Sequence, residues 1–142
     1  MKKAFVFDLD GTLFETSARE IEGATGHARY VEFTDSDKLL HESKPLSLAS
    51  LAVEVQNESH DVYILTARSS NLYPAIKKLL ARHGISAKYV FCVGDRGFNI
   101  PAYKAEILAQ LKEDYHSGSL YFFDDDEANL EMAPANIRKI KA

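Results

Sequence analysis

Asp8 and Asp10 stand one residue apart at the end of an apolar run, FVFDLDGTLF, residues 5–14. On an extended strand the side chains at positions i and i+2 point to the same side, so both carboxylates could face one point. Two carboxylates this close repel each other, and a bound cation would offset that repulsion. A helix or turn cap before Gly-Thr is the alternative interpretation, and for an isolated D-x-D-G it is the favoured one.

A second acidic cluster follows another apolar run, in SLYFFDDDEAN, residues 119–129. A helix N-terminus would explain Asp126 and Glu127, because the helix dipole favours negative charge there. That explanation does not extend to Asp124 and Asp125, which stand at the end of the predicted strand itself. If the two runs are neighbouring parallel strands, all these acids meet at one place, and an all-oxygen site of this kind suits Mg²⁺.

Chemistry at such a site would be phosphoryl transfer. A magnesium ion attracts phosphate, and a carboxylate beside it can act as the nucleophile. Because charge spreads over the three phosphoryl oxygens, the reaction also needs nearby hydrogen-bond donors and cations. Thr66, in ILTAR, and Lys104, in the first turn of a predicted helix, are the candidates. Taken singly, Thr66 could equally be a turn or cap residue and Lys104 an ordinary solvated lysine.

The elements that must position these residues alternate along the chain. Short aromatic and β-branched runs predict strands, and longer runs with one apolar face predict helices. This alternation is typical of an α/β fold with a parallel sheet and helices on both faces, in which ligands bind beyond the carboxyl ends of the strands. Asp8, Thr66 and Asp124 each stand at such an end. The predicted strands are 4–8, 61–67, 89–93, 119–124 and an edge strand at 137–141; the predicted helices are 45–59, 71–84, 101–115 and 127–133.

Residues 15–44 interrupt the alternation. They are polar, contain two glycines and offer only a short strand candidate, YVEF at 30–33, and a weak helix, SDKLL at 36–40. We interpret 15–44 as a small insertion after the first strand, either a flap over the site or a plain surface excursion. The remaining pattern is that of one domain spanning residues 1–142.

Composition limits the class of protein. The chain has 142 residues and a formal charge of −4, which argues against a generally cationic nucleic-acid or membrane binder but permits a local basic groove. Cys92 is the only cysteine, so no internal disulfide is expected. The N-terminal apolar run is too short for a signal peptide, and no run reaches the ~20 residues of a membrane span. We expect a cytoplasmic protein.

Taken together, FDLDGTLF, ILTAR, Lys104 and FFDDDEAN resemble the four motifs of the haloacid dehalogenase superfamily in order and approximate spacing. The resemblance covers Phe5 to Asn129 and implies a three-layer Rossmann-like fold with a minimal cap and an Mg²⁺-dependent hydrolase that forms an aspartyl-phosphate.

The resemblance also implies a role for each matching residue. Asp8 would be the nucleophile, and Asp10 the acid that protonates the leaving oxygen and then the base that activates water. The metal would be held by Asp8, the Asp10 carbonyl, and Asp124 or Asp125. Thr66 and Lys104 would orient and neutralise the phosphoryl group. An aspartate at position 10 favours ester hydrolysis over dehalogenation, because a leaving alkoxide needs a proton donor.

A narrower resemblance concerns the substrate. ILTAR, YVFCVGDRG and the acidic pair are similar to the 3′-phosphatase domain of phage-type polynucleotide kinase–phosphatases, although the sequence contains no Gly-x-x-x-x-Gly-Lys-Ser/Thr loop. It implies that Arg68 lies near the substrate phosphate. Arg96, after the third predicted strand, is a second candidate, for the substrate rim, and for each arginine a surface salt bridge is the alternative. Gly11, which lets the chain turn away after Asp10, is also assigned to substrate binding. The substrate would be a phosphorylated nucleic-acid end, or alternatively a free nucleotide or another small phosphoester. A non-catalytic binding protein on the same fold is the third possibility.

Overall fold

Five parallel strands form the centre of the computed structural model, which describes residues 2–16, 36–116 and 118–142. In chain order the described strands are β1 (Ala4–Phe7), β2 (Phe14–Glu15), β3 (Lys44–Pro45), β4 (Asp61–Thr66), β5 (Tyr89–Cys92), β6 (Leu120–Asp124) and β7 (Arg138–Lys141). Of these, β2 and β3 form a separate two-stranded ribbon. The helices are α1 (Ser36–Glu42), α2 (Ser47–Asn57), α3 (Tyr73–Arg82), α4 (Ile100–Lys112) and α5 (Glu127–Met132), with 3₁₀ turns at Ser70–Leu72 and Gly94–Arg96. The predicted strands and helices are therefore present, with ends that differ by a few residues.

The order of the main sheet is β5-β4-β1-β6-β7, with β1 in the middle and every pairing parallel. Phe7 is in register with Ile64 of β4 on one side and Phe123 of β6 on the other. Asp8 and Asp124 consequently leave the sheet at the same level, and Thr66 lies two residues beyond Ile64 on the neighbouring strand. The topology brings the three predicted strand ends to one edge of the sheet.

Helices cover both faces of this sheet, as the alternating pattern predicts. Phe5 and Phe7 of β1 point into one core, which is completed by α1, α2 and α3. Ala4 and Val6 point into a second core formed with α4 and α5. Because successive residues of β1 face these two apolar cores in turn, the strand is apolar at every position. The prediction of a three-layer α/β fold is confirmed.

The two sheet edges differ in chemistry. At one edge, β7 presents Arg138, Lys139 and Lys141, and charges of this kind discourage pairing with another chain. At the other edge, β5 is apolar and starts with the half-exposed Tyr89. No helix among the described residues is long and apolar enough to cross a membrane.

The prediction that Pro45 opens a helix is wrong. Lys44 and Pro45 instead pair in an antiparallel ribbon with Glu15 and Phe14, and the helix begins at Ser47. The Leu46 amide also donates to the Leu13 carbonyl at 2.8 Å, so tertiary pairing keeps this stretch extended. The ribbon holds the two ends of the 15–44 insertion together. The predicted helix at 36–40 is observed as α1, and the strand candidate at 30–33 lies outside the described residues.

The lone thiol of Cys92, at the end of β5, should react slowly with alkylating agents. Burial, with a smaller contribution from Asp95, raises the pKa of Cys92 to about 11 from 9.0. At pH 8 the thiolate fraction is then roughly 100-fold smaller than for an unperturbed thiol. We expect the rate of modification by iodoacetamide, followed by mass spectrometry, to keep rising beyond pH 10 in the folded protein. The urea-unfolded chain is the control, and a native rate that levels off near pH 9 would contradict the prediction.

Candidate active site

Asp8 lies at the carboxyl end of β1, where it is almost completely buried. Its Oδ1 accepts a hydrogen bond from the Lys104 ammonium at 2.9 Å, and its Oδ2 accepts one from the Thr12 hydroxyl at 3.2 Å. Its backbone amide donates to the Phe123 carbonyl of β6 at 2.9 Å, which continues the sheet pairing by one residue. Asp8 is thus held by both its main chain and its side chain.

Lys104 links the acidic groups of two strands. It projects from α4, is 1% exposed, and contacts Asp8 Oδ1 at 2.9 Å and Asp124 Oδ2 at 2.8 Å. Burial by itself would lower the pKa of Lys104, but the two carboxylates outweigh it and the pKa is raised. Lys104 is therefore a permanent cation in this site.

Asp124 is fully buried at the end of β6 and uses both carboxylate oxygens. Oδ2 accepts from Lys104 and, at 3.0 Å, from the Asn129 amide; Oδ1 accepts from the Asp126 backbone amide at 2.9 Å. Asp126 caps α5 by accepting from the Ala128 amide at 3.0 Å, in line with the sequence interpretation of that residue. The start of α5 therefore fixes the orientation of the Asp124 carboxylate.

Three carboxylates converge in this site. One oxygen from each of Asp8, Asp124 and Asp125 lies within 4.8 Å of the others. Burial raises the pKa of Asp8 well above its usual range; Lys104 opposes that shift and Asp124 adds to it. Burial also raises the pKa of Asp125. Three carboxylates against one ammonium leave two negative charges, so without a further cation the site disfavours full ionisation.

These residues fit a magnesium ion. The donors are all carboxylate oxygens, the type that Mg²⁺ prefers, and one dication would balance the two excess charges. Gly11 leaves room for the Asp125 carboxylate, because a Cβ at position 11 would clash with it. Gly11 also has φ +77°, which L side chains rarely adopt, and it allows the chain to turn directly after Asp10. Asp8, Asp124 and Asp125 would hold the metal.

Asp10 and Arg68 form an ion pair beside this cluster. The Arg68 side chain is fully buried, and its Nη2 lies 2.7 Å from Asp10 Oδ1. Thr66 is the last residue of β4, and its Oγ1 accepts a hydrogen bond from the Arg68 backbone amide at 3.2 Å. This contact holds the turn that brings Arg68 to Asp10. The structure thus places Arg68 against Asp10, whereas the sequence interpretation placed it at the substrate phosphate.

Arg96 lies in the turn after β5, at the sheet edge that carries the site, but outside the acidic cluster. It forms an exposed ion pair with Glu106 at 3.2 Å. Among the described residues, it makes no hydrogen bond or ion pair with Asp8, Asp124 or Asp125. The alternative interpretation, a surface salt bridge, is therefore observed, and a role of Arg96 at the substrate rim stays a prediction.

Three further site residues escaped the sequence analysis: Thr12, Thr16 and Asn129. Thr12 binds Asp8, Thr16 Oγ1 donates to Asp10 Oδ1 at 2.6 Å, and Asn129 binds Asp124. Thr12 lies in FDLDGTLF and Asn129 in FFDDDEAN, so their closeness in sequence to the aspartates could have indicated that they bind them. Thr16 directly follows β2, whose pairing with Lys44 and Pro45 no local pattern predicts.

Comparison with known proteins supports the fold assignment. No protein-family profile matches the sequence, and no curated protein is significantly similar to it. Among solved structures, the chain is similar to a hydrolase from Streptococcus pneumoniae TIGR4, with 14% identity and a TM-score of 0.64 over 99% of this chain and 92% of that one. It is also similar to a HAD-superfamily hydrolase of subfamily IA from Geobacter sulfurreducens PCA, with 16% identity and a TM-score of 0.61 over 97% and 94% of the two chains.

A third similarity is to a chain of the Pnkp1/Rnl/Hen1 complex, with 16% identity and a TM-score of 0.66. All of the present chain aligns, but it spans only 46% of that protein. At these identities the likeness is one of fold. The chain has the haloacid dehalogenase-like fold, as its motifs predict.

Proposed function

We propose that this chain is a metal-dependent phosphomonoesterase in which Asp8 is the nucleophile. The observation that carries the proposal is the buried Asp8 carboxylate, held by Lys104 and Thr12 beside Asp124 and Asp125. A metal bound by the three aspartates would supply positive charge at the phosphate. Hydrolases with the same fold among the similar structures support the reaction class.

The two half-reactions assign distinct roles to Asp8 and Asp10. In the first, a carboxylate oxygen of Asp8 bonds to phosphorus, the bond to the leaving oxygen breaks, and a proton passes from Asp10 to that oxygen. In the second, a water oxygen attacks the same phosphorus, its proton passes to Asp10, and the bond to Asp8 breaks. Inorganic phosphate leaves and both carboxyl groups return to their starting forms.

Lys104 and Thr66 would act on the transferred group. The Lys104 ammonium neutralises charge on Asp8 and on the phosphoryl oxygens. Thr66 Oγ1 already accepts a hydrogen bond from the Arg68 amide, so its own hydrogen remains for a phosphate oxygen. Both would stabilise the transition state by position rather than by proton transfer.

For the substrate we propose a phosphorylated polynucleotide end. One structural neighbour belongs to an assembly described as an RNA repair complex. In the present chain, Phe98 is 93% exposed and follows the Gly94–Arg96 turn at the carboxyl end of β5, the sheet edge that carries the site. An exposed aromatic ring in that place could stack on a nucleobase.

A substrate panel should separate the possibilities. We expect Mg²⁺-dependent phosphate release from a 3′-phosphorylated oligonucleotide, with kcat/KM at least about tenfold above that for the 3′-mononucleotide, because the longer ligand offers more binding contacts. The 5′-phosphorylated oligonucleotide of the same sequence and a sugar phosphate complete the panel, each with Mg²⁺ and with EDTA. Faster turnover of mononucleotides would exclude the polynucleotide substrate.

Metal binding has a readout that does not depend on turnover. A cation at 100 times its dissociation constant stabilises the folded state by about 2.7 kcal/mol. Mg²⁺ should therefore raise the thermal midpoint of the wild-type protein relative to EDTA. Equal midpoints together with EDTA-resistant turnover would refute the metal site.

A further inference from the structure

We infer that Arg68 and Thr16 are positioning residues that orient Asp10 so that its Oδ2 is the atom that exchanges the proton. The inference rests on the proposed function, since it assigns an atom and two supporting side chains to the acid–base step. It moves Arg68 from the substrate phosphate, where the sequence analysis placed it, to the support of Asp10.

The two oxygens of Asp10 are unequally occupied. Oδ1 accepts from Thr16 Oγ1 at 2.6 Å, from Arg68 Nη2 at 2.7 Å and from Arg68 Nε at 3.2 Å. Among the described residues, Oδ2 accepts only from Arg68 Nε, at 3.1 Å, and that single N–H is shared between both oxygens. Oδ1 is saturated, whereas Oδ2 retains a lone pair that can carry a proton.

The two partners of the ion pair also differ in solvent exposure, and Asp10 is the more exposed one. The Arg68 side chain is 0% exposed, while the Asp10 side chain is 12% exposed. A fully buried guanidinium requires hydrogen-bond acceptors, and its planar fork fixes the rotation of the carboxyl group it binds. Asp10 therefore presents one defined edge to the open side of the site.

The support behind Arg68 is itself fixed by backbone contacts. Its amide donates to Thr66 Oγ1, and its carbonyl accepts from the Gly94 amide at 3.2 Å. A Cβ at Gly94 would clash with the Ala67 carbonyl oxygen, so the loops after β4 and β5 pack backbone to backbone. This close contact leaves little freedom for the chain that carries the guanidinium.

The pair also suits the direction of proton transfer. When Asp10 gives its proton to the leaving oxygen, it becomes a carboxylate, and Arg68 stabilises the negative charge that remains. When water attacks, the same Oδ2 accepts the proton back. Thr16 holds Oδ1 throughout and prevents the carboxylate from turning its occupied oxygen towards the substrate.

Leaving-group dependence tests the inference. Phenyl, 4-chlorophenyl and 4-nitrophenyl phosphates have similar sizes, but their leaving groups need protonation to decreasing degrees. Positioned general acids contribute about 10²–10⁴ in rate. For Arg68→Lys, Arg68→Gln and Thr16→Val we expect kcat/KM to fall about 10²-fold or more on phenyl phosphate. On 4-nitrophenyl phosphate the loss should be less than about tenfold, because that leaving group departs as a stable anion.

Each alternative gives a different result. If Arg68 binds the substrate phosphate, its replacement should lower kcat/KM equally across the series and weaken inhibition by inorganic phosphate; that result would overturn the inference. A merely structural role would lower the thermal midpoint and leave the leaving-group slope unchanged. Failure of the wild-type protein to hydrolyse any phosphomonoester would instead refute the proposed function.

Two controls keep the test decisive. Ser69→Ala alters a neighbouring residue whose hydroxyl binds Asp95 instead of Asp10, and it should leave the slope as in wild type. Thr16→Val removes one hydroxyl at nearly constant volume, so it reports on Asp10 even if the Arg68 variants fail to fold. A wild-type slope in folded Thr16→Val would count against the role of Thr16.

Discussion

Replacing Asp8 by asparagine should lower the rate of phosphate release by a factor on the order of 10⁴ or more, while leaving the protein folded. An amide oxygen cannot form the acyl phosphate, but the amide has nearly the size of the carboxylate. The measurement is single-turnover phosphate release with the best substrate of the panel. Asp114→Asn removes one charge from an exposed position and is the matched control.

The same substitution should not destabilise the metal-free protein at neutral pH. Because burial raises the pKa of Asp8 above its unfolded value, the folded state prefers the neutral side chain. The wild-type protein therefore loses stability as pH rises from about 4 through the raised pKa, and the asparagine variant lacks that loss. In EDTA at pH 7.5 the thermal midpoint of Asp8→Asn should equal or exceed that of wild type. A clearly lower midpoint, or substantial residual turnover, would contradict the assigned role.

Replacing Lys104 by methionine should impair both stability and activity. The ammonium is buried between Asp8 and Asp124, and breaking a buried ion pair by removing one partner typically costs about 3–5 kcal/mol. Loss of one charge that stabilises a transition state typically lowers the rate by about 10²–10³. Denaturant unfolding and kcat measure the two effects, and Lys78→Met, on the exposed face of α3, is the control.

The stability deficit of Lys104→Met should depend on pH. Without the ammonium, the pKa of Asp8 rises further, because a group that lowers it is gone. The deficit should therefore be smaller at pH 5, where more of the carboxyl groups are protonated, than at pH 8. A deficit that is constant over this range, or a variant as active as wild type, would show that Lys104 does not balance the acidic cluster.

Local sequence patterns were sufficient for most elements of the fold. The run at residues 4–7 is apolar at every position because β1 is buried on both faces. Such a run predicts a buried strand from the sequence alone. Where a contact between distant segments decided the conformation, the same reasoning failed. Pro45 has the position of a helix start, but pairing with Phe14 makes it extended.

The candidate site divides in a similar way. Asp8, Asp124 and Asp125 were expected together, because the carboxyl ends of adjacent parallel strands meet at one edge of the sheet. Arg68 was expected at the site for a different reason, and only the structure shows that its partner is Asp10. A long side chain can reach several groups from one backbone position, so sequence spacing does not select its partner.

The sequence by itself determined the α/β layering, the sheet edge that carries the acids and the D-x-D pair at its centre, since each depends on local periodicity and on the rule that parallel strands end together. Only the tertiary structure decided how the charges pair: Lys104 between Asp8 and Asp124, and Arg68 with Thr16 on Asp10. These pairings join residues up to 96 positions apart. Their geometry follows from how the helices and loops pack on the sheet, which no local pattern encodes.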